Sequence, residues 1–200
     1  MYRNYLKPLF DFIGVLLLLP IVLLVVLVFA PIIWLTDRGP VFYNAPRMGK
    51  WHREFKMYKL RSMYVNAPDR RNADGSTDSA DDDARLTPIG RFLRRTSLDE
   101  LPQLLNVLCG QMSFVGPRPT MGGDGLEYDE MEGDLKHRYD VKPGITGYAQ
   151  AYFRNSIPQW QKFHWDAFYA RNVSFLLDAK ILVRTFLSVI ERKNINNNEH

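Results

Sequence analysis

The sequence predicts an α+β fold that begins with a membrane helix and continues into one small, helix-rich domain. Residues 12–36 contain no charged side chain, and an apolar run of about 18 residues or more is typical of a membrane segment. Residues 41–64 alternate apolar and basic side chains in the manner of short strands, and helical patterns dominate from residue 88 onward. We therefore expect residues 1–36 to form a membrane helix and residues 37–200 to form the domain.

The length of the apolar run allows an ordinary single span. At about 1.5 Å per residue, a helix over residues 12–36 is roughly 37 Å long, compared with a hydrocarbon core of about 30 Å. Proline is common in membrane helices, so Pro20 does not exclude this topology. A cleaved signal peptide fits less well, because the apolar part of such a peptide is typically only about 7–15 residues long.

A re-entrant hairpin is the alternative to a span. Pro20 lacks a backbone donor and clashes with the preceding turn, so the helix is expected to break there. Basic residues precede and follow the run, and the positive-inside tendency places both flanks in the cytoplasm. These residues are Arg3, Lys7, Arg38, Arg47, Lys50, Arg53 and Lys56. A helix that enters the bilayer, bends at Pro20 and returns to the same face satisfies both observations.

The domain is predicted to begin with a short β-hairpin. Residues 41–43 and 55–61 have strand-like composition, and a turn is expected near residues 48–50. Residues 66–85 are rich in Asp, Asn, Ser and Ala, and their Asp74-Gly75 pair is a turn signal. We predict that this segment is a mobile loop.

Helices are predicted for much of the remaining chain. A basic helix follows Pro88, and another runs from about residue 99 to residue 108 and stops at Gly110. Residues 159–171 carry an aromatic face that suits either an interfacial amphipathic helix or a core helix. Residues 175–192 are predicted to form a final, broadly apolar helix.

Composition restricts the function classes. The net charge of +4 fits an anionic partner, such as a membrane surface, phosphates or nucleic acid. Cys109 is the single cysteine, so no internal disulfide can form and a reducing compartment is expected. The four histidines show no metal-ligand spacing, which argues against a zinc site.

The acidic pair Asp99-Glu100 is the main candidate for chemistry. Both residues are expected at a helix N-terminus, with either Ser97 and Glu100 in capping-box spacing or Asp99 as the N-cap. Three arginines precede the pair within nine residues, and two prolines flank Arg118. Adjacent carboxylates can hold Mg²⁺ together with substrate phosphates, and a carboxylate can also be the nucleophile in phosphoryl transfer.

Three other interpretations remain open at this point. Asp99 and Glu100 can simply cap a helix. Residues 81–83 are three consecutive aspartates that could form the Asp-x-Asp metal site of a glycosyltransferase, although a solvated acidic loop explains them better. A membrane-anchored, lipid-binding protein without catalysis would explain the charge and the apolar run, but not the acidic pair beside arginines.

Several motifs occur together along the chain. They are residues 58–63 (YKLRSM), 97–103 (SLDELPQ), 106–108 (NVL), 112–119 (MSFVGPRP), 142–147 (KPGITG) and 172–178 (NVSFLLD). In combination they resemble the bacterial monotopic phosphoglycosyl transferases, the bacterial sugar transferase family. The resemblance covers nearly the whole chain, including the N-terminal apolar run, and at 200 residues the chain resembles the minimal, single-domain form.

The resemblance implies a reaction. A UDP-sugar gives its phosphosugar to a membrane polyprenol phosphate, UMP leaves, and a polyprenol-diphosphate-linked sugar is formed. Asp99 would attack the phosphate next to the sugar and form an aspartyl-phosphosugar intermediate, and Glu100 would hold a metal ion or assist the acceptor. Mg²⁺, held by Asp99 and Glu100, would offset the diphosphate charge and help UMP leave. The candidate phosphate-binding residues are Lys59, Arg94, Arg118 and Arg154.

The resemblance also implies a location. The acceptor phosphate stays in the headgroup layer, so the site must lie at that depth, which favours the re-entrant hairpin broken at Pro20. We expect the bacterial inner membrane, with the catalytic domain on its cytoplasmic face, and a role as the first membrane step of glycoconjugate or exopolysaccharide assembly. The expected partners are a UDP-sugar, a polyprenol phosphate and the phospholipid membrane. A homodimer is compatible with this interpretation, and no nucleic acid is expected.

Two places depart from the family pattern. Tyr152 and Phe153 stand where several relatives have Asn-Gly, so their bulk bears on the sugar pocket or on a membrane contact. Leu19 stands where relatives often have a polar residue, but the kink is still expected because proline causes it. The resemblance leans toward an N-acetylated amino sugar as the transferred group.

Overall fold

The computed structural model describes residues 1–68, 83–121, 128, 131–154 and 156–190, and within them the fold is α+β, as predicted. The helices are α1 (Lys7–Asp37), α2 (Pro88–Thr96), α3 (Gln103–Leu108), α4 (Tyr148–Tyr152), α5 (Gln159–Arg171) and α6 (Phe175–Ile190). The strands are β1 (Phe42–Met48), β2 (Glu54–Leu60), β3 (Ser113–Val115) and β4 (Gly144–Thr146). Most of the predicted loop at residues 66–85 lies outside the described residues.

Helix α1 is continuous, so the predicted break at Pro20 and the re-entrant hairpin are not confirmed. The helix extends for 31 residues with Pro20 and Pro31 inside it, and a π-helical turn, Tyr2–Leu6, precedes it. Among the described residues, Tyr2–Asp37 is the one segment long and apolar enough to cross a membrane. Each proline removes an internal hydrogen bond, but packing on the domain supports α1 on both sides of Pro20.

One face of α1 packs against the domain along its whole length. Asp11, Val15, Val22 and Ile33 are buried, and they are separated by about one, two and three helical turns, so they form a single stripe. This stripe contacts α2, α3 and β3. The other faces expose large apolar side chains, among them Leu16, Leu17, Leu23, Leu24 and Leu27.

Polar contacts fix both ends of α1 to the domain. At the N-terminal end, Lys7 Nζ lies 2.8 Å and the Tyr2 hydroxyl 2.6 Å from the same carboxylate oxygen of Asp178. At the C-terminal end, both guanidinium Nη atoms of Arg61 donate to the Asp37 carboxylate at 2.6 Å. Helix α1 therefore lies against the domain from end to end, and the division of the chain at residue 36 stays a prediction.

The predicted β-hairpin is confirmed and is longer than expected. Strands β1 and β2 pair antiparallel, from Phe42 opposite Leu60 to Met48 opposite Glu54. The connecting segment contains Trp51 in a left-handed conformation (φ 58°), which reverses the chain within a few residues. Strand β2 leads toward the acidic pair, so the hairpin supplies one wall of the candidate site.

Helix α2 packs closely on the backbone that follows β2. The Thr87 hydroxyl accepts from the Gly90 amide at 2.9 Å and caps the helix, and Pro88 occupies its first position. A Cβ atom on Gly90 would lie 1.8 Å from the carbonyl oxygen of Ser62, so this contact requires glycine. The Arg94 side chain is thereby brought to the end of β2, where it contacts Ser62.

A second, parallel strand pair was not predicted. Ser113 pairs with Gly144, and Val115 pairs with Thr146. A Cβ atom on Gly144 would lie 2.1 Å from the amide nitrogen of Gly116, so the two segments approach as closely as glycine allows. Strands of three residues are too short to show alternation, which is why the sequence did not predict them.

The C-terminal helices agree with their predicted positions. Helix α5 has the predicted bounds, and α6 begins at Phe175 as expected. Phe163 and Tyr169 of α5 are buried, whereas Trp160 and Phe168 are exposed. Some aromatic residues of α5 therefore belong to the core, and others lie on the surface. The 3₁₀ segment Gly133–Asp140 packs on α5.

Candidate active site

The acidic pair lies in a short 3₁₀ turn, Leu98–Glu100, between α2 and α3. Ser97 ends α2 in a left-handed conformation (φ 57°) and turns the chain into this segment. The predicted caps are wrong: neither Ser97 nor Asp99 makes a side-chain capping bond, and α3 begins only at Gln103. Pro102 occupies the N-cap position of α3, so both carboxylates belong to the preceding 3₁₀ turn and not to the start of this helix.

Glu100 is paired with Lys59 of β2. The Lys59 ammonium lies 2.6 Å from Glu100 Oε1, and both side chains are partly buried. Burial alone would raise the pKa of Glu100, but the positive charges of Lys59, Arg118 and Arg94 overcome it and lower the pKa to about 2. Glu100 is therefore ionised at any physiological pH.

Asp99 has the opposite electrostatic environment. Its residue is only 6% exposed. Burial raises the pKa of Asp99 to about 6, the charge of Glu100 acts in the same direction, and Lys59 and Arg94 oppose both. Asp99 is thus a desolvated carboxylate that ionises close to neutral pH.

Asn106, for which the sequence indicated no role, fixes β2 relative to α3. Its side chain is fully buried, accepts from the Tyr58 amide at 2.9 Å and donates to the Lys56 carbonyl at 2.7 Å. It also donates to Gln111 Oε1 at 2.8 Å. Since Lys56 and Tyr58 directly precede Lys59 on β2, Asn106 sets the position from which Lys59 reaches Glu100.

Three of the four predicted phosphate-binding residues lie near the acidic pair. Lys59, Arg94 and Arg118 all act electrostatically on Glu100, although they come from β2, α2 and the loop after β3. Arg94 Nε donates to Ser62 Oγ at 3.1 Å, and the side chain of Arg118 is exposed. Arg154 follows α4, which packs against α5 and α6.

Asp99 and Glu100 carry carboxylates, the oxygen ligands that Mg²⁺ takes from proteins. Mg²⁺ sites commonly use one or two protein carboxylates and take their remaining ligands from substrate phosphates and water. Asp99 is a buried carboxylate whose pKa is raised chiefly by desolvation, so a nearby cation would stabilise its ionised form. Within the described ranges, no group of three or more His, Cys, Asp or Glu side chains could hold a metal by itself. A metal here would therefore depend on the substrate.

The Asp-x-Asp alternative falls largely outside the described residues, because residues 81 and 82 are not among them. Asp83 is described, and its carboxylate forms a buried ion pair with Arg85 at 2.7 Å. The charge of Asp83 is therefore compensated by Arg85.

The comparisons with known proteins place this geometry in a family. The family model described as "Bacterial sugar transferase" matches residues 2–192, so the chain belongs to the bacterial sugar transferase family. Asp99, Glu100 and all four predicted phosphate-binding residues lie inside the matched region. The match also begins within the segment that leads into α1.

Curated relatives agree with this assignment. A protein of Bacillus subtilis named "Uncharacterized sugar transferase EpsL" is 40% identical over 98% of this chain and 92% of its own length. The Xanthomonas campestris "UDP-glucose:undecaprenyl-phosphate glucose-1-phosphate transferase" is 41% identical over 80% of this chain but 33% of its own length. An Aeromonas hydrophila relative, named as an N-acetylgalactosaminephosphotransferase acting on undecaprenyl phosphate, is 33% identical over 93% of this chain and 44% of its own length. The chain thus spans less than half of these two relatives.

Proposed function

We propose that this protein transfers a sugar phosphate from a UDP-sugar to a membrane polyprenol phosphate through a covalent intermediate on Asp99. The relatives named for this reaction support the substrate classes. The observation that supports the intermediate is the buried Asp99 carboxylate beside the charges of Lys59 and Arg94. A desolvated carboxylate with a raised pKa is more basic than an ordinary one and is suited to nucleophilic attack.

The reaction balances in two steps. A carboxylate oxygen of Asp99 bonds to the phosphorus next to the sugar, the bond from that phosphorus to the bridging oxygen breaks, and UMP leaves with the electron pair. A phosphate oxygen of the polyprenol phosphate then attacks the same phosphorus, and the acyl-phosphate bond breaks. Asp99 returns as a carboxylate, and the polyprenol-diphosphate sugar is formed.

The neighbouring cations would bind and orient the phosphates. Lys59, Arg94 and Arg118 surround the pair from three separate elements, and arginine is suited to bidentate phosphate contacts. Glu100 holds Lys59 in place through the 2.6 Å ion pair. Asp99 and Glu100 would hold Mg²⁺, which supplies charge neutralisation of the diphosphate and of the departing UMP.

The apolar surface of α1 supports a site at the level of the lipid headgroups. Outside the buried stripe, this helix exposes many large apolar side chains, and contiguous exposed apolar surface is typical of a membrane or protein contact. Because Asp11 of α1 accepts from the Phe114 amide, only a few residues before Arg118, the helix is bonded directly to the segment that carries a phosphate-binding residue. We propose that α1 sets the depth of Asp99 in the bacterial inner membrane, with the domain on the cytoplasmic face.

The test is Asp99→Asn in the full chain embedded in lipid nanodiscs. We expect loss of UMP release and loss of the phosphosugar adduct, measured by mass spectrometry of intact protein incubated with a UDP-sugar. Membrane binding is expected to remain. Full activity of this variant would refute the aspartyl intermediate, and inactivity of Asp81→Asn instead would favour the Asp-x-Asp glycosyltransferase.

The transferred sugar is tested separately. The relatives are named for glucose, galactose and N-acetylgalactosamine, and we propose an N-acetylated amino sugar for this chain. A panel of UDP-sugars assayed for UMP release gives the answer. Preference for UDP-glucose or UDP-galactose would contradict the amino-sugar proposal while leaving the reaction itself intact.

A further inference from the structure

A buried ion pair lies behind the loop that carries Arg118. The guanidinium of Arg138 donates to Asp166 at 3.0 Å, and the two side chains are 1% and 4% exposed. Burying a charged pair costs free energy of desolvation, and hydrophobic residues of similar volume often serve the fold equally well. The pair therefore requires an explanation beyond stability.

Arg138 reaches the backbone of Arg118 directly. Its Nη2 atom, which binds Asp166, also donates to the Arg118 carbonyl oxygen at 2.9 Å. Its Nη1 atom donates to the Tyr139 hydroxyl at 3.0 Å and to Thr120 Oγ1 at 3.3 Å. The guanidinium also lies 4.2 Å from the ring centre of Phe163, so its orientation is fixed on several sides.

The loop of residues 117–119 has few backbone groups that can anchor it to the rest of the fold. Pro117 and Pro119 flank Arg118 and lack amide donors, so the carbonyl oxygens of this segment must serve as its anchors. The Pro117 carbonyl accepts from the Gly144 amide at 2.9 Å, and the Arg118 carbonyl accepts from Arg138. The Arg118 amide in turn donates a hydrogen bond to the Asp166 carboxylate. The buried pair thus contacts both sides of the Arg118 backbone.

We propose that Arg138 and Asp166 are positioning residues that clamp the Arg118 backbone and aim its exposed side chain at the donor diphosphate. Neither residue needs to touch the substrate, since both act through Arg118. The inference rests on the proposed function for the role of Arg118. It adds two residues, from the 3₁₀ segment Gly133–Asp140 and from α5, to the machinery of the site.

The test compares Arg138→Lys with Arg171→Lys. Lysine keeps the positive charge but cannot bind Asp166 and the Arg118 carbonyl with one rigid fork. Arg171 pairs with Asp134 at 2.6 Å across the same two elements, is largely exposed and has no described contact with Arg118, so it is a matched control. We expect Arg138→Lys to raise the KM for the UDP-sugar about 10-fold or more with a smaller change in kcat. Arg171→Lys is expected to leave both unchanged.

Two readouts separate positioning from general destabilisation. Hydrogen exchange of the peptide that covers residues 113–121 should accelerate in Arg138→Lys and not in Arg171→Lys. In an Arg118→Ala background, Arg138→Lys should change KM by less than about twofold further, because the two residues act as one unit. If Arg138→Lys does not fold, Asp166→Asn, which preserves volume, replaces it in both measurements.

Failure of the proposed clamp can be distinguished from failure of the proposed function of Arg118. If Arg118→Ala raises KM but Arg138→Lys and Asp166→Asn match the wild-type protein in KM and exchange, the clamp is wrong and the proposed function stands. If Arg118→Ala itself has no effect on KM, the phosphate-binding role assigned to Arg118 fails. Independent additive effects of Arg118→Ala and Arg138→Lys would also contradict the clamp.

Discussion

Asp99 and Glu100 are adjacent in sequence, yet their surroundings shift their pKa values in opposite directions. Burial raises the pKa of Asp99 to about 6. The pKa of Glu100 falls to about 2, because Lys59, Arg118 and Arg94 together outweigh its burial. Two carboxyl groups whose pKa values differ in this way can take different roles in one reaction. Asp99 is suited to the role of the nucleophile. Glu100, which stays ionised, is suited to hold Lys59 in place.

The raised pKa of Asp99 predicts that this residue destabilises the folded protein at neutral pH. The shift from 3.8 to about 6 means that the folded state disfavours the ionised form. The loss of folding stability caused by ionising Asp99 is absent below about pH 4, grows as the pH rises to about 6, and is fully present above that. Asp99→Asn should therefore raise the stability at pH 7 by up to roughly 3 kcal/mol. Thermal unfolding with EDTA, between pH 4 and pH 8, measures this difference.

Glu100→Gln is the matched control, and its effect should have the opposite sign. The pKa of Glu100 is lowered from 4.5 to about 2, so its ionised form stabilises the folded state above about pH 4.5 and this contribution is lost as the pH falls toward 2. Glu100→Gln should therefore lower the unfolding temperature at pH 7. A less stable Asp99→Asn variant at pH 7 would contradict the assignment of a desolvated nucleophile.

At the scale of elements, the parts with long, regular patterns could be predicted. The hairpin of β1 and β2 and helix α5 agree with their alternating and helical patterns. Strands β3 and β4 were missed because each has three residues, and their pairing joins segments far apart in the chain. The positioning role of Asn106 was missed for a related reason. Its partners at residues 56 and 58 are nearby only after folding.

The acidic pair and its cations could be predicted only in part. Asp99 and Glu100 stand out in the sequence as an acidic pair close to arginines. Arg118 stands out because two prolines flank it. The opposite pKa shifts could not be predicted, since they depend on burial and on the distance from Lys59, which lies 40 residues earlier on β2. The unbroken course of α1 through Pro20 depends in the same way on tertiary packing.

Asp178 joins three elements, and we predict that the attachment of α1 depends on it. Its carboxylate accepts from Lys7 of α1 at 2.8 Å, from Tyr2 at 2.6 Å and from Tyr169 of α5 at 2.7 Å. Asp178→Asn would leave Lys7, which is also mostly buried, without its counter-charge. Breaking a buried pair from one side costs about 3–5 kcal/mol. We expect a lower unfolding temperature and faster proteolysis near the N-terminus.

A second substitution tests the cause of this loss. The double variant Lys7→Met with Asp178→Asn removes both charges, and it should recover much of the lost stability. If the double variant is no more stable than Asp178→Asn alone, the ion pair is not the reason for the attachment. The Asp37→Asn variant at the more exposed opposite end of α1 should have a smaller effect.

At the scale of the whole molecule, the contacts of α1 with the domain limit how this helix can meet a membrane. The helix is roughly 46 Å long, and its two ends touch Asp178 and Arg61 of the domain. In an ordinary span, one end would lie beyond about 30 Å of hydrocarbon, and the contacts of that end would be lost. The buried stripe through Asp11, Val15, Val22 and Ile33 adds the same constraint along the length of the helix. The contacts therefore favour a helix that enters the lipid with its exposed faces and crosses no bilayer.

Cysteine labelling tests this topology. The exposed Cys109 first serves in the native chain as the reference for the side on which the domain lies. The variants Arg3→Cys and Arg38→Cys, each combined with Cys109→Ser, then report the two ends of α1. A membrane-impermeant maleimide should label all three positions in inside-out vesicles and none in intact spheroplasts. Because both ends of α1 contact the domain, no position should differ from Cys109. Labelling of position 3 and position 38 from opposite faces would establish a single span, and the contacts of one end of α1 with the domain would then not form in the membrane.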